Sequence, residues 1–69
     1  MAKNKIYFYR IQKQMSGELL AEKIGVSTKT MYRYENGDTI PDIFTAMKIA
    51  DALEITLDEI FPRLEDKKA

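Results

Sequence analysis

The sequence predicts an all-α domain built from five short helices. Four runs of apolar residues spaced three and four apart each follow a residue that favours the N-cap position of a helix. These N-cap residues are Ser16, Ser27, Asp42 and Thr56. Helix stop signals separate the central runs at Gly25 and at the Asn36-Gly37 pair, because these residues tolerate the left-handed backbone conformation. No stretch shows the alternation of a strand, and no internal repeat interrupts the pattern.

The first helix is predicted over residues 4–14, where Ile6 begins an apolar stripe that continues at Tyr9. Tyr7 and Phe8 make this segment apolar on more sides than a solvent-facing helix needs. We expect one of these two rings to enter the core and the other to lie on the surface. The alternative is that this surface contacts a partner subunit or a nucleic-acid backbone through the tyrosine hydroxyl.

The second helix is predicted from Gly17 to about Ile24 and the third from Thr28 to Asn36, with Gly25 at the corner between them. Ala21 is small at the point where the two helices must approach closely. The apolar spacing around this corner, over about 20 residues, resembles that of the helix-turn-helix of DNA-binding proteins. The apolar positions are Leu20, Ile24, Val26, Met31 and Tyr34.

The predicted outer face of the third helix is basic, hydroxyl-bearing and aromatic. It lies opposite Met31 and consists of Thr28, Lys29, Tyr32 and Arg33. Arginine can donate two hydrogen bonds to guanine, and lysine can donate hydrogen bonds to guanine or to a phosphate. We therefore expect Lys29 and Arg33 to contact bases or phosphates, and the alternative for both is an ordinary solvated helix face.

The fourth helix is predicted from Ile43 to about Leu53, after a loop that Pro41 breaks. The fifth is opened by a capping box, Thr56-Leu-Asp-Glu59, in which two side chains satisfy each other's free amides. It runs through Phe61 and ends at Pro62.

One domain is expected over residues 1–69, with an ordered core over about 4–62 and a charged tail over 63–69. The predicted core residues share the inward stripes of the five helices. They are Ile6, Tyr9, Leu20, Ile24, Val26, Met31, Tyr34, Ile43, Phe44, Met47, Ile49, Ala50, Leu53, Leu57, Ile60 and Phe61.

The absence of cysteine and histidine excludes several kinds of site. Disulfides and metal sites built on thiolate or imidazole ligands cannot form, and neither can a nucleophile with a histidine base. No carboxylate pair lies in a recognisable catalytic pattern, so we expect neither an enzyme nor a cofactor or metal site. No apolar run approaches the ~20 residues of a membrane span, and residues 1–5 do not resemble a signal peptide. We therefore expect a cytoplasmic protein that does not enter a membrane.

The net charge of zero conceals an asymmetry between the two halves of the chain. Residues 1–37 carry seven lysines and arginines against three glutamates, a net charge of +4, and residues 38–69 carry four against eight, a net charge of −4. Such a distribution would turn the half with the helix-turn-helix toward phosphates. The alternative is an ordinary mixed surface.

These motifs resemble the lambda-repressor-like helix-turn-helix family, which includes phage repressors, Cro-like proteins and bacterial Xre-type regulators. The resemblance covers nearly all of residues 6–61. It rests on Leu-Ala-Glu-Lys-Ile-Gly-Val-Ser at 20–27, Tyr-Glu-Asn-Gly at 34–37, Ile-Pro at 40–41, Lys-Ile-Ala-Asp-Ala-Leu at 48–53 and Leu-Asp-Glu-Ile-Phe at 57–61. It implies a sequence-specific regulator of transcription, a repressor, that reads the major groove of double-stranded DNA with the third helix.

The resemblance also implies roles for particular residues. Arg10 and Glu35 match positions that often form an ion pair, and Asn36 matches a phosphate contact. The base-reading positions match Thr28, Lys29, Tyr32 and Arg33. The full set of expected DNA-binding residues is Gly17, Ser27, Thr28, Lys29, Thr30, Tyr32, Arg33 and Asn36.

The chain departs from the family pattern at four positions. Gly17 stands where glutamine is usual, so only its backbone amide can meet a phosphate there. Gln14 and Glu54 stand where glycine is common, and each requires either a positive φ or a different turn. Tyr32 is bulkier than the small residue that is common at its position.

Two classes of partner are open. The first is double-stranded DNA bound by a homodimer on a palindromic site, with Leu57, Phe61 and Leu64 as the expected dimer interface. The second is an unidentified protein, bound by an antitoxin-like or other protein-interaction module that uses the same fold. A module of the second kind would need a large exposed apolar patch or a longer chain.

Overall fold

The computed structural model describes residues 4–61, and every regular element within them is an α-helix. The helices are α1 (Ile6–Gln12), α2 (Gly17–Ile24), α3 (Thr28–Asn36), α4 (Ile43–Leu53) and α5 (Leu57–Ile60). The predicted all-α fold is therefore confirmed, and α2, α3 and α4 have their predicted limits. Pro62 and the predicted tail over 63–69 lie outside the described residues, and the assignment of one domain to residues 1–69 stays a prediction.

The first helix is shorter than predicted at both ends. Asn4 does not join α1, because its side-chain oxygen accepts a hydrogen bond from the Ile6 amide at 3.0 Å. Its side-chain nitrogen donates to the Tyr34 carbonyl at 2.8 Å and so ties the start of α1 to α3. At the other end, Gln14 has a φ of 57°, which is incompatible with a continuing right-handed helix.

The four predicted N-caps are confirmed. Each accepts a hydrogen bond from the amide three residues further along, which satisfies one of the free donors of the first turn. These bonds join Leu19 to Ser16 at 3.0 Å, Thr30 to Ser27 at 3.1 Å, Thr45 to Asp42 at 2.8 Å and Glu59 to Thr56 at 3.3 Å. The capping box is completed by the Thr56 amide, which donates to Glu59 Oε1 at 2.9 Å.

Three helices end on a residue in the left-handed conformation. Gly25 and Gly37 end α2 and α3 with φ values of 81° and 82°. Glu54 ends α4 with a φ of 60°, so both non-glycine residues at usual glycine positions, Gln14 and Glu54, adopt the positive φ. This conformation costs roughly 1–2 kcal/mol for a residue with a Cβ atom. Lys13 lies next to Gln14 in sequence and forms an ion pair with Glu54.

The core forms where α2 packs against α3 and α4, with α1 and α5 closing its sides. The Lys5 amide donates to the Ile60 carbonyl at 2.8 Å, which brings the two ends of the described chain together. The buried apolar residues are Ile6, Leu20, Ala21, Ile24, Met31, Tyr34, Ala46, Ile49, Ala50, Leu53 and Ile60. Four further residues predicted in the core are partly buried and pack against it, namely Tyr9, Val26, Leu57 and Phe61.

Three residues of α4 were wrongly predicted to lie in the core. Ile43 is 57% exposed, Phe44 73% and Met47 48%. The reason is that α4 is apolar on several sides, whereas only one stripe of a helix can face the core. That stripe consists of Ala46, Ile49, Ala50 and Leu53.

The expectation that Tyr7 or Phe8 enters the core is also wrong. Both rings are about half exposed. The buried positions of α1 are Ile6 and Arg10, which lie one turn apart on the same face. The inward face of α1 is therefore filled by one aliphatic and one charged side chain, and neither aromatic ring shares it.

Candidate nucleic-acid interface

The inner face of α3 is held in place by an ion pair with α1. Arg10 Nε donates to Glu35 Oε2 at 2.6 Å, and Arg10 Nη2 donates to Glu35 Oε1 at 3.1 Å. A third bond runs from Arg10 Nη1 to the carbonyl of Met15 at 3.0 Å, just before α2. The hydrogen bonds to the Glu35 carboxylate raise the pKa of the Arg10 guanidinium. One side chain thus connects α1, α3 and the turn into α2.

The outer face of α3 presents three polar side chains with no partner in the described part of the chain. Lys29, Arg33 and Asn36 are exposed and follow the spacing i, i+4, i+7 of a single helical stripe. None of the three side chains makes a hydrogen bond or an ion pair with another described residue. The donors of these side chains are therefore available to a ligand.

Two hydroxyl groups at the start of α3, those of Ser27 and Thr30, are used within the helix itself. Ser27 Oγ caps the helix and donates to Thr30 Oγ1 at 2.9 Å. Thr28 and Thr30 are half-buried. Of the expected contact residues in this turn, Ser27 and Thr30 thus stabilise the start of the helix, and Thr28 lies between this cap and the exposed stripe.

The remaining two expected contact residues, Gly17 and Tyr32, lie against each other. Gly17 is buried at the start of α2, and a Cβ atom built on it would lie 2.7 Å from Cε1, Cζ and Oη of Tyr32. The phenol end of Tyr32 therefore occupies the space that a side chain at position 17 would need. The sequence held a sign of this contact, because Gly17 and Tyr32 are the two residues of α2 and α3 that depart from the family pattern.

The Tyr32 ring also lies near the buried ion pair. Arg10 Cζ is 6.0 Å from the centroid of the Tyr32 ring and 5.2 Å from that of Tyr7. Both distances are within the range of cation–π attraction. Tyr7 lies on α1 together with Arg10, whereas the contact with Tyr32 was not predicted because it depends on how α1 and α3 are juxtaposed.

The described residues contain no group of three or more histidine, cysteine, aspartate or glutamate side chains placed to hold a metal ion. Among the described helices, none combines the length and apolar character needed to cross a membrane.

Comparison with known proteins identifies several similar chains. A family model described as helix-turn-helix matches residues 6–60. The cryptic phage CTXphi transcriptional repressor RstR of Vibrio cholerae is 43% identical over 44 residues, which cover 64% of this chain and 39% of the repressor. The chain thus corresponds to about two fifths of that protein.

An uncharacterized helix-turn-helix-type transcriptional regulator of Methanocaldococcus jannaschii is 35% identical over 94% of this chain and 98% of its own length. Among solved structures, a transcriptional regulator from Listeria innocua is similar with a TM-score of 0.67 and 21% identity, over 96% of this chain and 72% of its own. At that identity the structural similarity supports the fold.

Proposed function

Because the chain belongs to the helix-turn-helix family of the Cro and C1 type, we propose that it is a DNA-binding transcriptional regulator that acts as a repressor. The observation that carries this proposal is the stripe of Lys29, Arg33 and Asn36 on α3. These side chains are exposed and have no partner among the described residues, whereas the opposite face of the helix is held by the Arg10–Glu35 pair. A fixed helix with free donors on its outer side is suited to reading a groove of DNA.

In this proposal, α3 enters the major groove and α2 crosses the phosphate backbone. Lys29 and Arg33 face the base edges, where guanine offers two acceptors to an arginine fork. Asn36 lies at the end of the stripe and contacts a phosphate. Thr28 flanks the groove, while Ser27 and Thr30 hold the first turn of α3 in position.

We propose that the regulator binds DNA as a homodimer, and the structure favours a different interface from the one expected. Ile40, Ile43, Phe44 and Met47 form an exposed apolar surface at the start of α4, hereafter the α4 surface. A groove of about 290 Å³ lined by Ile43, Leu57 and Phe61 continues it, so part of the expected interface borders this surface. The third expected residue, Leu64, lies outside the described residues.

A second copy of the chain fits the α4 surface by its charge pattern. Asp42 precedes Phe44, and Lys48 follows Met47, so opposite charges flank the apolar side chains of α4. In an antiparallel pairing of two α4 helices, Phe44 would face Met47 of the partner and Lys48 would approach the partner's Asp42. A dimer that reads two half-sites one turn of DNA apart would need its two copies of α3 about 34 Å apart.

The same surface supports the second candidate function, a protein-interaction module. Large exposed apolar patches on soluble proteins mark contact sites. A different protein could cover Phe44 and Met47 in place of a second copy. The two candidates differ in whether the purified chain alone dimerises and selects a DNA sequence.

The proposal includes a cytoplasmic location and no catalytic activity. Its experiment is selection of bound sequences from a pool of random duplex DNA by the purified protein. We expect a palindromic site to be enriched, with binding that weakens steeply as salt rises because counterions return to the DNA. Equal recovery of all sequences would reject the regulator and leave the protein-interaction module.

A further inference from the structure

The Gly17–Tyr32 contact bears on how the proposed regulator would hold DNA. Tyr32 lies on the exposed side of α3, between Lys29 and Arg33 in sequence. Its phenol end lies over Gly17, the first residue of α2. Tyr32 as a residue is 42% exposed, so its side chain lies at the surface where α2 and α3 meet.

The hydroxyl of Tyr32 has no hydrogen-bond partner among the described residues. It lies at the N-terminus of α2, where the first amides, those of Gly17 and Glu18, have no acceptor within the helix. In a helix-turn-helix complex the helix before the recognition helix crosses the sugar–phosphate backbone, whereas base edges lie beneath the outer stripe of the recognition helix. The position of the hydroxyl is therefore that of a backbone contact.

We propose that Tyr32 binds a DNA phosphate next to the start of α2 and does not read a base. Gly17 makes this possible because its lack of a side chain leaves room for the ring. In this chain a residue of α3 thus supplies the polar group that residue 17 itself cannot supply. The inference rests on the proposed DNA-binding function and assigns one contact within it.

The surroundings of the ring explain why it would hold this position. On one side it packs on the backbone of Gly17, and on another it lies 6.0 Å from the Arg10 guanidinium. Arg10 is itself held by Glu35 and by the Met15 carbonyl. A ring positioned by two fixed neighbours loses little conformational entropy when its hydroxyl binds a phosphate.

The first test is Tyr32→Phe, which keeps the ring and removes the hydroxyl. We expect affinity for the selected site and for unrelated duplex DNA to fall by the same factor, roughly 3- to 10-fold, as for loss of one hydrogen bond. The base preference recovered from random DNA and the dependence on salt should not change, because the hydroxyl carries neither base identity nor charge. The matched control is Tyr9→Phe, which removes a hydroxyl from a ring near Leu53 and Glu54.

The second test is Gly17→Ala, which places a methyl group where the Tyr32 ring lies. The ring is the free end of a side chain and can rotate away, so we expect an unchanged or raised melting temperature. DNA affinity should nevertheless fall as far as in Tyr32→Phe. The double variant Gly17→Ala/Tyr32→Phe should bind no more weakly than either single variant, because both changes remove the same contact.

The outcomes separate this inference from the proposed function. Altered preference at one base position in Tyr32→Phe would show that Tyr32 reads a base and would overturn the inference. Unchanged affinity in Tyr32→Phe, or fully additive losses in the double variant, would also overturn it. If the parent protein selects no DNA sequence at all, the proposed function itself fails.

Discussion

Arg10 and Glu35 form a buried ion pair between α1 and α3, with Nε and Oε2 2.6 Å apart and side-chain exposures of 8% and 5%. Two charges in such a place are stable only together, because each would be costly to bury alone. The pair was expected from the family resemblance, and the structure adds its third bond to the Met15 carbonyl. The pair holds α3, which carries the stripe proposed to read DNA, against α1.

The ion pair predicts strong coupling in a double-mutant cycle. Arg10→Met or Glu35→Gln alone should lower the free energy of unfolding by about 3–5 kcal/mol, because each leaves one buried charge without its partner. The double variant should lose less than the sum of the two. Urea unfolding measures all four proteins, and additive losses would mean that the pair is not coupled.

Two neighbouring leucines of α2 should differ sharply in how much they contribute to the free energy of unfolding. Leu20 is fully buried, so Leu20→Ala should lower the free energy of unfolding by about 2–5 kcal/mol. Leu19 is exposed on the same helix, and Leu19→Ala should change the free energy of unfolding by no more than about 0.5 kcal/mol. Melting curves give the comparison, and an unchanged curve for Leu20→Ala would remove Leu20 from the core.

The proposed reading of the major groove predicts a loss of specificity in Arg33→Ala. If Arg33 donates two hydrogen bonds to guanine, this variant should lose about 1–3 kcal/mol of binding free energy and its preference at one base position. The matched control is Lys13→Ala, which removes the same charge from a side chain paired with Glu54. Unchanged affinity and preference in Arg33→Ala would show that the stripe on α3 does not read bases.

Asn36→Ala is expected to affect DNA binding differently from Arg33→Ala. The Asn36 side chain is expected to hold a phosphate, which carries no base identity. Asn36→Ala should therefore weaken binding to all sequences by a similar factor, while the preferred site stays the same. Selection from random DNA and binding titrations on two unrelated duplexes distinguish the two behaviours.

The α4 surface predicts that a charge at Phe44 abolishes the dimer. Phe44 is largely exposed, so Phe44→Glu should leave the melting temperature of the isolated chain nearly unchanged. In a homodimer the new carboxylate would be buried without a partner and would drive dissociation. Sedimentation should show dimers for the parent and for the control Ile11→Glu on α1, and monomers for Phe44→Glu. A parent protein that stays monomeric at high concentration would contradict the homodimer.

The N-cap of α4 predicts how the melting temperature depends on pH in acid. The hydrogen bonds from Thr45 lower the pKa of Asp42 below its ordinary value of 3.8. A lowered pKa in the folded state means that the contribution of Asp42 is present above pH ~4 and is lost as the pH falls below it. Asp42→Asn retains a capping side chain but does not titrate there. Between pH 6 and pH 3 the melting temperature of Asp42→Asn should therefore fall less than that of the parent.

The sequence by itself determined the five helices, the N-caps of four of them and the exposed stripe of α3. Capping and stop signals act within a few residues, so Ser16, Ser27 and Asp42 could be assigned without knowledge of the tertiary structure. The stripe of Lys29 and Arg33 followed in the same way from helical periodicity.

Only the tertiary structure decided which apolar side chains are buried and where the ring of Tyr32 lies. Phe44 and Met47 have the composition of core residues, but burial depends on which stripe of α4 meets α2 and α5. Tyr32 is on the outer side of α3 by sequence, yet its ring is turned toward α2 because Gly17 leaves a space there. These outcomes arise from contacts between residues distant in sequence, which local patterns do not encode.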